Sequence, residues 1–258
     1  MRGTVRRAGL VSLLALSAVA LPAAAQAAVD HTPWDLLLKR HVASGLAEYE
    51  GFRQDRAELE RYVVSLQDVQ PSQLGSRQAQ LAFWINAYNA NVVKGVLDHY
   101  PIASVKEVKG FFDRVRYRVA GRELTLDEIE GEGRALGDWR IHFAVVCASS
   151  SCPLLRAEAY AADRLDAQLV KQSRQFLGDS QRGMRVEGTT LWVSKIFDWY
   201  TVDFMSTKER GLFRRLTPEK LVSVLSPYLT PEVGQAVRQR TVKLRFLDYD
   251  WALNAQPR

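Results

Sequence analysis

One stretch of the chain, His142-Phe-Ala-Val-Val-Cys147-Ala-Ser-Ser-Ser-Cys152-Pro153, holds both of its cysteines and one of its four histidines. These residue types support three kinds of chemistry. A thiol beside an imidazole is a nucleophile with its base. Two nearby thiols can form a structural or redox-active disulfide. Thiols and imidazoles together can hold a metal. Residues 139–147 are a nearly continuous apolar run, which predicts a buried strand. On a strand His142 and Cys147 point to opposite faces and stand about 16 Å apart, so they cannot pair within it. Cys152 lies beyond a loop of small residues. It can fold back toward His142, or open a helix whose free amides lower a thiol pKa. Cys152 is therefore the candidate nucleophile and His142 the candidate base. The same loop also lets Cys147 and Cys152 close a bridge worth about 2 kcal/mol, the simplest use of two cysteines in an exported protein. No metal site is expected, because a zinc site needs three or four ligands. His31, His41 and His99 are not spaced to complete one, and no other cofactor is expected.

Three further groups carry polar or aromatic chemistry. Trp84-Ile-Asn86-Ala-Tyr-Asn89 places two asparagines on one face of a helix. A buried amide without partners costs about 1–3 kcal/mol. Asn86 and Asn89 must therefore either bridge to neighbouring backbone or orient a reacting group as oxyanion donors. Asp198-Trp199-Tyr200-Thr-Val-Asp203 and Asp250-Trp251 set aromatics beside carboxylates. They can line a ligand cleft or be capped strand ends. Asp198, Asp203 and Asp250 are the candidates to orient a histidine. Carboxylate pairs also suit glycoside hydrolysis, but such pairs are common.

These side chains need a frame. Helical spacing across 34–66 predicts two helices with a break near Glu50-Gly51. A long helix is expected over 76–99, apolar on nearly every side and therefore interior, ending before Pro101. Residues 114–125 read as a hairpin around Ala120-Gly121. Thr125 and Glu128 form a capping box for a helix stopping near Gly131 or Gly133. An amphipathic helix is expected over 159–177, a second hairpin over 184–194, helices opened by Pro218 and Pro231 behind threonine caps, and a last strand over 242–247. The sum is an α+β domain, with a largely antiparallel mixed sheet packed against several helices, including the long buried one.

The first residues read as a targeting segment. Arg2, Arg6 and Arg7 precede a short apolar run, and Ala25-Gln26-Ala27 has the small-x-small pattern of a cleavage site. A signal peptide over 1–27 is expected, with one domain over 28–258 in the periplasm or outside the cell. Gly9 replaces the bulky residue of a twin-arginine signal, and no cysteine follows for a lipid anchor. No later run is long enough to span a bilayer, so no stable membrane insertion is expected after cleavage. Loss of the three signal arginines lowers the net charge from +6 to +3. That mild balance, with scattered charges, excludes nucleic acid as an expected partner. Six tryptophans and 47% apolar residues point to a globular chain.

Four blocks now fall in register: residues 83–90, 142–153, 191–204 and 249–254. Together they resemble the domain-of-unknown-function 547 (DUF547) family across residues 34–254. Leu154 departs from the family pattern, which carries a second proline there. The resemblance implies the extent of the fold and marks Trp84, Asn86, Asn89, His142, Cys147, Cys152, Asp198 and Asp203 as motif positions. It implies no activity. The residues themselves support a thiol-dependent hydrolase or acyl transferase acting on peptides or amides of the envelope. Cys152 would attack, His142 shuttle the proton, Asp198 or another aspartate orient the ring, and Asn86 or Asn89 hold the oxyanion. Trp84, Asn89, Trp199, Tyr200, Asp203, Asp250 and Trp251 would help bind. The alternatives are a non-enzymatic scaffold locked by a Cys147–Cys152 disulfide that binds a small molecule or peptide, and a redox-active dithiol protein.

Overall fold

The computed structural model describes residues 29–205, 216–239 and 242–257. The expected signal segment lies outside the described residues. Among them, no helix is long and apolar enough to cross a membrane.

The N-terminal part differs from the two helices expected. Helix α1 (Thr32–His41) is followed by a hairpin of β1 (Val42–Ala43) and β2 (Leu46–Ala47), then α2 (Tyr49–Gln54) and α3 (Arg56–Ser65). The chain reverses at Ser44-Gly45, both at positive φ (52° and 79°). Two consecutive left-handed residues make the tight turn that suits a short hairpin. Turn chemistry overrides the helical period there.

Helix α4 (Arg77–His99) runs as expected, and Ser76 accepts the Ala79 N–H to cap it. Its side chains from Leu81 to Val93 are all buried. Helices α2 and α3 pack along it and α1 packs on those two, and Trp34, Phe52, Leu59, Phe83 and Ile85 share one core. Strands β3 (Tyr117–Val119) and β4 (Arg122–Leu124) form the expected hairpin. The Thr125–Glu128 capping box is present and opens α5 (Leu126–Ala135), which continues past both glycines that were expected to end it. Gly133 is needed for contact rather than termination. A Cβ there would stand 2.5 Å from Ile141 Cδ1 and 3.3 Å from Trp84 Cβ.

The expected strand over 139–147 is not formed. Trp139–Phe143 is a 3₁₀ turn capped by Asp138, which accepts the Arg140 N–H, and irregular chain follows. The run is apolar because it is enclosed: Phe143 packs on Phe176, Phe197 and Phe204. A continuous apolar run reports burial on all sides and leaves the backbone type open.

Helix α6 (Leu165–Gly178) begins six residues later than expected. The preceding chain is held by side chains instead: Asn86 Nδ2 donates to the Tyr160 carbonyl (2.8 Å) and Asn86 Oδ1 accepts the Tyr160 N–H (2.9 Å). Strands β5 (Met184–Glu187) and β6 (Thr190–Val193) form the second hairpin. Helix α7 (Ile196–Trp199) and a 3₁₀ turn (Thr201–Phe204) follow, then α8 (Pro218–Leu225) behind Thr217 and α9 (Pro231–Gln239). Strand β7 (Lys243–Phe246) adds parallel to β6. These elements enclose a second apolar cluster around Phe143, Leu191, Phe197, Phe204 and Leu221. The result is the expected α+β fold, helix-rich, with three small sheets: two antiparallel hairpins and one mixed three-stranded sheet.

Asn86 is fully buried, and truncating it strands both a backbone donor and an acceptor. Asn86→Ala is expected to lower stability by about 2–4 kcal/mol. Urea denaturation checks this; a loss below 1 kcal/mol would contradict the clamp.

Candidate active site

Three segments converge beside α4. Asn89 Nδ2 donates to the Ala144 carbonyl (3.0 Å), and Asn89 Oδ1 accepts the Val146 N–H (2.9 Å). This clamp holds the irregular chain between His142 and Cys147. The C-terminal segment then fixes the cysteine loop. Ser149 bridges Leu253 antiparallel, and the Ser150 N–H donates to the Ala252 carbonyl (2.7 Å). This pairing lays Tyr249 against Cys147. Helix α7 and its 3₁₀ turn supply Trp199, Tyr200 and Asp203.

His142 is buried between two carboxylates. Its Nε2 lies 2.8 Å from Asp203 Oδ2, which also accepts the Arg134 Nε–H at 2.7 Å. Its Nδ1 lies 3.7 Å from Glu130 Oε1, and neither atom has a hydrogen-bond partner. The Tyr200 ring covers the imidazole at 4.1 Å between centroids. Burial lowers the His142 pKa, and Asp203 only partly opposes this. Burial raises Asp203, but hydrogen bonds from His142 and Arg134 outweigh it and hold the carboxyl well below its usual range. A neutral imidazole beside an ionised Asp203 places its proton on Nε2 and leaves the Nδ1 lone pair free.

Glu130 was not singled out by its residue type. It shares the buried stripe of α5 with Leu126, Ile129 and Gly133, and burial raises its pKa from 4.5 to about 7 against the opposing effects of Tyr200 and Arg134. A carboxyl raised in the fold keeps a proton that the unfolded chain releases, so stability falls as pH rises from the unfolded to the folded pKa. At about 1.4 kcal/mol per pH unit, the ionised form costs about 3 kcal/mol. Glu130→Gln is therefore expected to gain stability relative to the native chain between pH 5 and pH 8, by up to about 3 kcal/mol. Paired thermal melts across that range check this, and a pH-independent difference would contradict it.

Both cysteines are free thiols, so the Cys147–Cys152 disulfide is not formed in this structure. Cys152 is buried in the loop rather than at a helix start, because the chain after Pro153 stays irregular until α6. Cys147 is partly exposed. Its sulfur lies 3.1 Å from the Tyr249 hydroxyl and 3.1 Å from Ser149 Oγ, and the two hydroxyl oxygens lie 2.9 Å apart. The Cys147 N–H points at Cys152 Sγ (2.9 Å). Burial opposes ionisation of Cys147, but hydrogen bonds from Cys152, Ser149 and Tyr249 outweigh it and bring the thiol down to about 7. Burial pushes Cys152 well up, and its neighbour pushes it further. The electrostatics therefore favour Cys147 as the thiolate and Cys152 as a proton donor to it, the reverse of the roles that the strand reading suggests.

His142, Cys147 and Cys152 line one cavity of about 210 Å³ with Glu130, Trp199, Tyr200, Tyr249 and Trp251. Asp203 reaches it through His142. The other sequence candidates lie elsewhere. Asn86 and Asn89 bond backbone through both ends of their amides and do not line the cavity, so they act as clamps. Trp84 is core packing. Asp198 pairs with Lys195 (3.1 Å), and Asp250 caps the Ala252 N–H (2.8 Å). Ser149 and Tyr249 lie in the stretches 142–153 and 249–254, but hydroxyls carry no spacing signal. Glu130 had one available: a carboxylate on the apolar stripe of an amphipathic helix. Among the described residues, no group of three or more His, Cys, Asp or Glu is arranged to hold a metal ion.

A family model described as a protein of unknown function, DUF547, matches residues 71–177. No curated protein and no solved structure matches the chain. The matched stretch contains α4, α5, the His142 turn and both cysteines, while Asp203 and Tyr249 come from chain beyond it. Residues 71–177, and with them the helix, turn and loop that build most of the cavity, are similar to the DUF547 family of proteins of unknown function.

Proposed function

We propose that the protein is an exported thiol-dependent hydrolase or acyl transferase, with Cys147 as nucleophile and the His142–Asp203 pair as its proton shuttle. The observation that carries this is a thiol brought down to about 7 in the same cavity as a buried histidine with one nitrogen held by Asp203 and the other free. Cys147 would attack the carbonyl carbon of a peptide, amide or related ester of the envelope. The S–C bond forms as the carbonyl pair moves to oxygen. Collapse of that intermediate expels the leaving group, which takes the thiol's proton from His142 Nδ1. Water or a second nucleophile then cleaves the thioester. Tyr249, Ser149 and Cys152 would hold the thiolate before attack, and Asp203 would keep the ring in the productive tautomer.

An activated acyl ester tests the reading. Mass spectrometry after a brief reaction should place the acyl group on Cys147, while no adduct, or one on Cys152 alone, removes it. A redox-active dithiol is the second reading, favoured by the closeness of the two thiols, with the Cys147 N–H donating to Cys152 Sγ at 2.9 Å. It requires a bridge that forms and is reduced reversibly. The scaffold reading requires that bridge to be permanent, and it has no use for a depressed thiol pKa.

A further inference from the structure

The cavity's charge is one-sided. Its charged lining residues, Asp127 and Glu130, are both acidic. They are three apart on α5 and so share a face of that helix. Asp127 is exposed at the rim, whereas Glu130 is 6% exposed and its Oε1 has no hydrogen-bond partner. The nearest cations are already committed. Arg134 pairs with Asp203 at 2.7 Å and lies over Tyr200, and Lys106 sits 4.4 Å from the centre of the Trp251 ring. Neither lines the cavity.

The remaining walls are aromatic. Trp199, Tyr249 and Trp251 form a mutually packed set, with Trp199 and Trp251 stacked at 5.9 Å and Tyr249 within 4.8 Å of both. Ring faces attract cations, more strongly where water is excluded. An unpaired buried carboxyl oxygen is costly to leave unmatched. A carboxylate ligand would meet like charge, and a neutral one would leave the charge at Glu130 Oε1 unmatched. At about 210 Å³ the space admits a short chain rather than a bulky group.

We propose that the cavity recognises a protonated primary amine on a short aliphatic chain, with Glu130 as its counter-charge, Asp127 guiding entry and the Trp199–Tyr249–Trp251 rings as its walls. This rests on the thiol-chemistry reading and narrows it: the group presented to Cys147 is an amine-bearing acyl donor or an amine acceptor that takes the acyl group from the thioester. In the second case the ammonium first passes a proton to Glu130, the freed amine nitrogen attacks the thioester carbonyl, an N–C bond replaces the S–C bond, and the amine's second proton passes to His142 as Cys147 leaves as thiolate.

Titration of the full chain with n-butylammonium, n-butanol and butyrate at pH 8, followed by ligand-observed NMR, tests this without using acyl transfer. Butylammonium is expected to bind at least tenfold more tightly than butanol, with butyrate weakest. Glu130→Gln should erase that preference, and Asp127→Asn should weaken it severalfold with the cavity interior left intact. Equal binding of amine and alcohol, or an amine preference that survives both substitutions, overturns the proposal. Competition by magnesium or calcium ions at the same concentration would also overturn it, by showing a general cation site. The acyl-adduct experiment separates the two readings. An adduct on Cys147 without amine preference leaves the thiol chemistry standing and removes the amine. Amine preference without an adduct does the opposite.

Discussion

Cys147→Ser is expected to reduce acylation by an activated ester at least a hundredfold, with little change in fold. The substitution preserves size and the hydrogen bonds to Ser149 and Tyr249, but a hydroxyl does not ionise near neutral pH as this thiol does. Cys152 gives the contrasting result. Its buried thiol is pushed well up, so it contributes no nucleophile of its own. Cys152→Ala removes one donor to the Cys147 thiolate. That variant is expected to lose several-fold in rate at pH 7 and to recover most of it by pH 9, because the remaining thiol ionises later. Rates across that pH range, with adduct position read by mass spectrometry, check both. A large pH-independent loss in Cys152→Ala, with Cys147→Ser active, would exchange the two roles.

His142→Ala carries the second large effect, an expected loss of about 10²–10⁴ in acyl-transfer rate. Nδ1 is the base position in the cavity with an unused lone pair, and nothing else there takes a proton at neutral pH except Glu130. The loss should be smaller for substrates with good leaving groups, which need little protonation, and larger for amides. A purely structural role would lower both substrate types alike. Asp203→Asn is expected to follow the same pattern in weaker form. The ring stays in place under Tyr200, but the neutral amide no longer opposes the burial that lowers His142. Comparing an ester with the matching amide in both variants separates proton transfer from damage to the fold.

Much of the frame is legible in the chain because local chemistry decides it. Ser76 and Pro101 bound a helix whose interior has no polar face. Thr125 and Glu128 cap another, and Ala120-Gly121 turns a hairpin. The cysteine region resists such reading for a physical reason. Its backbone groups are satisfied by Asn89 and by a segment about a hundred residues downstream, and no local pattern records those partners. The apolar run around His142 therefore reads as a strand although it is a 3₁₀ turn followed by clamped chain. With the strand goes the geometry that separates His142 from Cys147. The joining of His142, Asp203, Cys147, Trp199, Tyr200 and Trp251 is long-range, yet each was visible as a residue type. Glu130 was hidden by its neighbours, since a helix rich in acids masks the one acid on its buried side. Asn86 and Asn89 were legible as amides needing partners, and the fold makes both of them clamps.

The activation of Cys147 is tested most directly by its alkylation rate with iodoacetamide between pH 5 and pH 10, followed residue by residue on the native chain. Modification of Cys147 should rise with a midpoint near pH 7, while Cys152 stays largely unmodified until the chain is unfolded. A midpoint near the ordinary thiol value of about 8.5, or faster modification of Cys152 than of Cys147, would contradict the assignment.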